Sequence, residues 1–262
     1  MDRLQEQPFM YVSLAPAGAS TATSLDMARL MVELLNPRST SILSDKSKRQ
    51  LLGGAYVNNQ LVNGVTLGMY EMSRGGARAV GHAGNTMLFN SLMVLWPDEN
   101  MGLFVSTNTL SAQNVADDLV STVSSYLGLT QKNIALQAVT NPLPYVGDYL
   151  STRRNHSDSS KILGLADTVQ VTYDAETEAL LVTDVLGLKR YRQLDEHVFQ
   201  HVGGFERLGF NVTGGKATEL FFSNRPIVSY ARAGLAERVT VAGLVLILWA
   251  AFAAGVFLVW PF

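Results

Sequence analysis

The feature that most constrains this chain is Val239 to Val259, VTVAGLVLILWAAFAAGVFLV: 21 residues with no charge and Thr240 as the one clearly polar side chain. At about 1.5 Å of rise per residue a helix of this length covers roughly 30 Å, the hydrocarbon thickness of a bilayer. Its backbone groups are satisfied internally, so no partner is required there. Core helices rarely run so long without charge. Trp260 stands at the far end, where an indole N–H reaches headgroup level, and Arg232, Glu237 and Arg238 bound the near end. The expectation is a single C-terminal transmembrane helix with the lipid bilayer as partner. Its position excludes a signal peptide, and the N-terminal stretch has no apolar core of the kind such a peptide needs.

The residues before this run carry ordinary globular patterning. The net charge of −2 and a charged fraction of 16% leave no basic stripe, so no nucleic-acid partner is expected. With no cysteine there is no thiolate nucleophile, disulfide or cysteine-based zinc site. His197 and His201, four apart, would share the face of a strand about 13 Å from each other, without a third ligand. They read as surface strand residues; no metal and no cofactor are expected.

Met27, Leu30, Met31, Leu34 and Leu35 recur at helical spacing behind Ser24 or Asp26 as a cap, and Asn36-Pro37 ends that helix. Ser44 to Leu52 predicts a second helix, stopped by Gly53-Gly54. Val65 to Met72 predicts a strand, Ala77 onward another, and the apolar runs Met87–Trp96 and Met101–Ser106 flank a turn at Pro97 to Asn100. An antiparallel meander, covered by an amphipathic helix between Ser111 and Leu127, is the simplest arrangement. After Asn141-Pro142-Leu143-Pro144 come eight short strand-like segments with turn-rich links. Even spacing of this kind predicts a small antiparallel barrel or sandwich.

Three segments within roughly Pro16 to Leu127 resemble the β-lactamase-related serine hydrolases, the class C β-lactamase and penicillin-binding-protein-like group. They are AGASTATSLDMARLMVELLN, AVGHAGNTMLFNSLMVLWPDENMGLFVSTNT, and the helix that follows. His82-Ala83-Gly84 stands where that family has its third motif, Lys-Thr-Gly or His-x-Gly, on the strand beside the active site. The resemblance implies that His82 and Asn85 are catalytic. His82 would line the site wall, and the Asn85 backbone N–H would be the second oxyanion donor. Ala83 and Gly84 would bind substrate, a glycine allowing close approach. Tyr145 to Tyr149 and Thr152-Arg153-Arg154 resemble the start of an accessory β domain in a membrane-bound subgroup. The family nucleophile, Ser-x-x-Lys, occurs nowhere in the 262 residues, and Ser44-Asp45-Lys46-Ser47 has the wrong spacing. Tyr56-Val57-Asn58 has the letters of the second motif, Tyr-x-Asn, but lies too close to His82, and Tyr56 reads as a loop aromatic packing on the sheet.

The expected fold class is α+β. An antiparallel sheet with covering helices, over 1–140, is the C-terminal part of a β-lactamase-related domain. A small antiparallel β domain follows over 141–234, then a transmembrane segment over 235–262. The expected function is the C-terminal portion of a membrane-anchored serine hydrolase, its soluble part extracytoplasmic. The intact protein would hydrolyse peptide, ester or β-lactam bonds, acting on a peptide, ester or cell-wall-derived small substrate. Without Ser-x-x-Lys this chain would be inactive alone. The alternative is a non-catalytic, membrane-tethered binding module.

Overall fold

A computed structural model describes residues 6–13, 15, 17–54, 56–74, 76–86, 88–108, 115–129, 134–237 and 239–259. The chain divides into two compact units, Met1–Val57 with Gly64–Asn133, and Asn58–Asn63 with Ile134–Phe262.

In the first unit α1 spans Ser24–Leu35. Its cap is Thr23 rather than Ser24 or Asp26. The Thr23 hydroxyl accepts the Asp26 N–H at 3.2 Å, and the Asp26 carboxylate accepts the Thr23 N–H at 3.1 Å, a reciprocal box that satisfies two otherwise orphaned donors. α2 spans Asp45–Leu52, capped by Ser44. Lys48 on α2 is buried, which its place among charged neighbours does not foretell. Its ammonium donates to the Glu33 carboxylate at 2.8 Å and to the carbonyls of Asn36 and Ser39 at 3.0 and 2.7 Å. The Lys48 and Ser39 hydrogen bonds hold the Glu33 carboxyl down at about 2, against an opposing push from burial.

Four antiparallel strands follow in spatial order: β1 Tyr70–Glu71, β2 Val80–Asn85, β3 Asn90–Trp96 and β4 Met101–Thr107. The two-residue period sorts their side chains onto two faces. Val80, Met93, Leu95 and Phe104 pack with Met31 and Leu34 of α1 and Leu52 of α2. Ala79, Leu92, Val94 and Trp96 pack with Val120 of α3, which spans Val115–Tyr126. β1 is shorter than the Val65–Met72 stretch predicts because Thr66–Met69 is a turn, with Gly68 at φ 88. Gly81 is obligatory: a Cβ there would lie 2.0 Å from the Met93 carbonyl oxygen.

In the second unit β5 Gly147–Ser151, β6 Thr168–Asp174, β7 Ala179–Asp184, β8 Gly187–Asp195, β9 Val198–His201, β10 Arg207–Thr213, β11 Lys216–Phe222 and β12 Ser229–Arg232 form a closed barrel. Each strand pairs antiparallel with the next, and β12 pairs back to β5. Tyr149, Val171, Leu180, Tyr191, Phe199 and Leu220 fill the interior, as eight strands leave room for side chains and little else. Phe210 and Phe222 join this core, whereas Phe221 faces outward onto Val62 and Val198. Arg232 ties the start of the barrel to its end. Its guanidinium donates to the carbonyls of Pro144 at 2.9 Å and Ala217 at 3.1 Å, to the Tyr149 hydroxyl at 3.0 Å, and to the Val146 carbonyl. A Cβ at Gly147 would meet that guanidinium at 2.9 Å.

These observations correct the expected fold class. The chain is mostly β, dominated by an eight-stranded closed barrel, with four α-helices among the described residues. The transmembrane expectation is corrected as well. α4 does run over Val239–Val259, yet among the described residues no helix is long and apolar enough to cross a membrane.

Candidate functional site

His82, Ala83, Gly84 and Asn85 form the exposed half of β2, beyond its buried start at Val80-Gly81. β3 covers one edge of this segment throughout, with His82 opposite Met93 and Asn85 opposite Asn90. Among the described residues no strand pairs with the other edge of this segment, because β1 pairs only with Val80 and Gly81.

Strand alternation decides which backbone groups that open edge presents. The Thr86 N–H donates to the Phe89 carbonyl at 2.8 Å, so residue 86 points towards β3. On the opposite side the Met72 N–H donates to the Ala79 carbonyl at 2.8 Å, so residue 79 points towards β1. Odd-numbered residues of β2 therefore direct N–H and C=O away from β3. At Gly81 these groups face β1. At Ala83 the N–H is taken by the Tyr70 hydroxyl at 3.1 Å. At Asn85 the N–H lies past the reach of β1, on the open edge.

His82 shares the face of Val80 and is exposed. Its ring lies 4.9 Å from that of Tyr70, tilted by 44°. Tyr70 is itself fixed: its backbone pairs with Gly81 on one side and bridges Val65 on the other. Next to it Glu71 accepts the Gly64 N–H at 3.1 Å and pairs with Arg78 at 3.1 Å, and Arg78 donates to the Leu52 carbonyl at 2.6 Å. Sequence reasoning missed Tyr70, whose contact with Ala83 spans 13 positions and depends on strand register. Gly84 has a partner within the fold, since a Cβ there would lie 2.7 Å from the Ser91 hydroxyl. Tyr56 is 61% exposed and bridges Val65 through its backbone.

A second concavity, about 670 Å³, lies on the barrel among Glu196, His197, Asn211, Thr218 and Glu219. His197 occupies the β8–β9 turn at φ 59, outside the strand register assumed for it, and its Nδ1 lies 2.8 Å from the Tyr145 hydroxyl. His201 on β9 is half-buried, and desolvation lowers its pKa. Among the described residues no group of three or more histidine, aspartate or glutamate side chains is placed to hold a metal ion.

The family model for β-lactamase matches residues 2–123, which contain the whole of this strand edge. No curated protein matches the chain. Among solved structures, SurE with D-Leu is 17% identical with a TM-score of 0.49, over 80% of this chain and 50% of its own. A second SurE structure is 16% identical with a TM-score of 0.46, over 80% and 48%. The octameric penicillin-binding protein homologue from Pyrococcus abyssi is 16% identical with a TM-score of 0.36, over 80% and 47%. The chain thus spans about half the length of the solved structures it matches.

Proposed function

We propose, from a chain whose residues 2–123 are β-lactamase-related, that the His82–Asn85 edge is one wall of an acyl-transfer site of the serine hydrolase type. The open edge of β2 carries this reading. It presents a backbone donor at Asn85, held by a paired strand, with an exposed imidazole on the adjoining residue face. A donor fixed in advance stabilises the oxyanion that develops when a nucleophile attacks a carbonyl, at no reorganisation cost. His82 would bind the anionic end of a peptide or the acid group of a ring-opened β-lactam. The nucleophile this wall would serve is not among these 262 residues, which contain no Ser-x-x-Lys.

That same absence favours a second reading, in which the edge binds an acyl or peptide group without cleaving it. Two measurements test what the readings share, a nucleophile-free edge that binds an acyl or peptide group. A fluorescent penicillin should leave the chain unlabelled; stoichiometric covalent labelling would mean that another side chain serves as nucleophile. Acetyl-D-alanyl-D-alanine titrated into the ¹⁵N-labelled chain should shift the amide resonance of Asn85. Unchanged Asn85 and His82 resonances at saturating peptide would remove both readings.

A further inference from the structure

Tyr70 does more at this edge than pack beside His82. An extended peptide adding to β2 as a further strand needs successive outward groups, Ala83 and then Asn85, roughly 7 Å apart. The Ala83 donor is already spent on the Tyr70 hydroxyl at 3.1 Å. The Tyr70 backbone ends regular pairing at Gly81, and its side chain then runs on along the edge and occupies the next outward position. Among the described residues, Asn85 is the next outward backbone donor left for a ligand. Tyr70 cannot readily swing aside, since its backbone is held between Val65 and Gly81 and its ring rests against His82.

We propose that Tyr70 sets ligand length at this site. The edge accepts a chain end or a compact acyl group that needs one backbone donor, and refuses an internal peptide segment that needs two. The inference rests on the proposed function for the nature of the ligand, but the length limit itself follows from which donors are occupied. It also gives a physical reason for the short β1: a longer strand would cover Asn85, and a shorter one without Tyr70 would leave an open edge, a template for unwanted strand addition.

The test compares the chain with its Tyr70→Ala variant, which vacates the position beside Ala83 that the ring and its hydroxyl fill. Each is titrated, by ¹⁵N amide resonances, with acetyl-D-alanyl-D-alanine and with a doubly blocked decapeptide of alternating threonine and lysine. In the parent chain the dipeptide should move Asn85 and leave Ala83 in place, and the decapeptide should move neither. In Tyr70→Ala the decapeptide should move Ala83 and Asn85 together, binding at least about fivefold more tightly, the worth of one recovered backbone hydrogen bond. A merely structural role for the hydroxyl would speed amide exchange at Ala83 without changing which peptide binds. Decapeptide binding at Ala83 in the parent, or no gain in the variant, overturns the length limit. Failure of the dipeptide alone overturns the proposed function and leaves the decapeptide comparison standing.

Discussion

Replacing Gly81 by alanine tests the geometry of the β2–β3 pair through the sign of the effect. In an ordinary strand, glycine to alanine is stabilising by roughly 0.5–1 kcal/mol, because alanine loses less backbone freedom on folding. Here the new methyl would stand 2.0 Å from the Met93 carbonyl oxygen and 3.0 Å from the Met72 sulfur. The carbonyl belongs to a strand fixed on both sides, so relief requires β2 to move by more than 1 Å. Overpacking of this kind costs about 1–3 kcal/mol. Losing one or two ladder hydrogen bonds adds about 1 kcal/mol each. The net expectation is a destabilisation of about 3 kcal/mol, a shift in the urea midpoint of roughly 1–3 M at the slopes usual for such domains. Trp96 on β3 is buried in the same sheet, and with Trp249 and Trp260 replaced by phenylalanine its fluorescence is a local probe of the transition. Gly84→Ala is the internal control. There the obstacle is the Ser91 hydroxyl at 2.7 Å, the end of a side chain that rotates away, and the change should stay within about 1 kcal/mol of neutral. A Gly81→Ala chain as stable as its parent, or no worse than Gly84→Ala, would refute the strand packing on which the site argument rests.

Arg232→Met should destabilise the barrel by about 2–5 kcal/mol, leaving the carbonyls of Pro144, Val146 and Ala217 without their shared donor; hydrogen exchange of β5 and β12 amides would report it. Gly147→Ala should weaken the same region, since Gly147 has φ 151 and its Cβ would crowd the Arg232 guanidinium; unchanged exchange would contradict this. The Glu33 carboxyl is lowered from 4.5 to about 2 in the fold, so its stabilisation is complete above the unfolded value and lost as pH falls from about 4.5 towards 2. Glu33→Gln should remove that part of the acid sensitivity, and urea midpoints for the two chains should converge at the acid end of this window. His201 is shifted the other way for a base: burial lowers its pKa below 6.5, so acidification through and below that value should destabilise the barrel, and His201→Gln should flatten this dependence.

The parts legible in the sequence are those set by short-range periodicity. Leu92, Val94 and Trp96 alternate with Met93 and Leu95 across the two faces of β3, and the pattern names the strand before any partner is known. The His82-Ala83-Gly84 motif located the edge segment in the same way, through local letters. What the pattern could not supply was long-range register. Tyr70 acts on Ala83 through a cross-strand offset, Lys48 is buried because loop carbonyls from 33–39 converge on it, and Arg232 serves carbonyls more than eighty residues earlier in the chain. The Val239–Val259 run shows the opposite failure. It forms the helix its composition predicts, while among the described residues no helix is long and apolar enough to cross a membrane.

The closure between β5 and β12 also dictates an order of events during synthesis. Thr152, just past the end of β5, bonds Ser229, the first residue of β12, 77 residues later. A ribosome delivers β5 long before its partner has left the exit tunnel, so the first strand has one flank unprotected while the next six are made. Hairpins between consecutive strands form locally and early, whereas the last seam waits for a slow, non-local search. Arg232 is the latch at that seam, reaching back to the carbonyls of Pro144 and Val146 at the barrel's start. Any stall or cleavage upstream of Arg232 would leave an eight-stranded cylinder as an open sheet, with two raw margins available to neighbouring nascent chains.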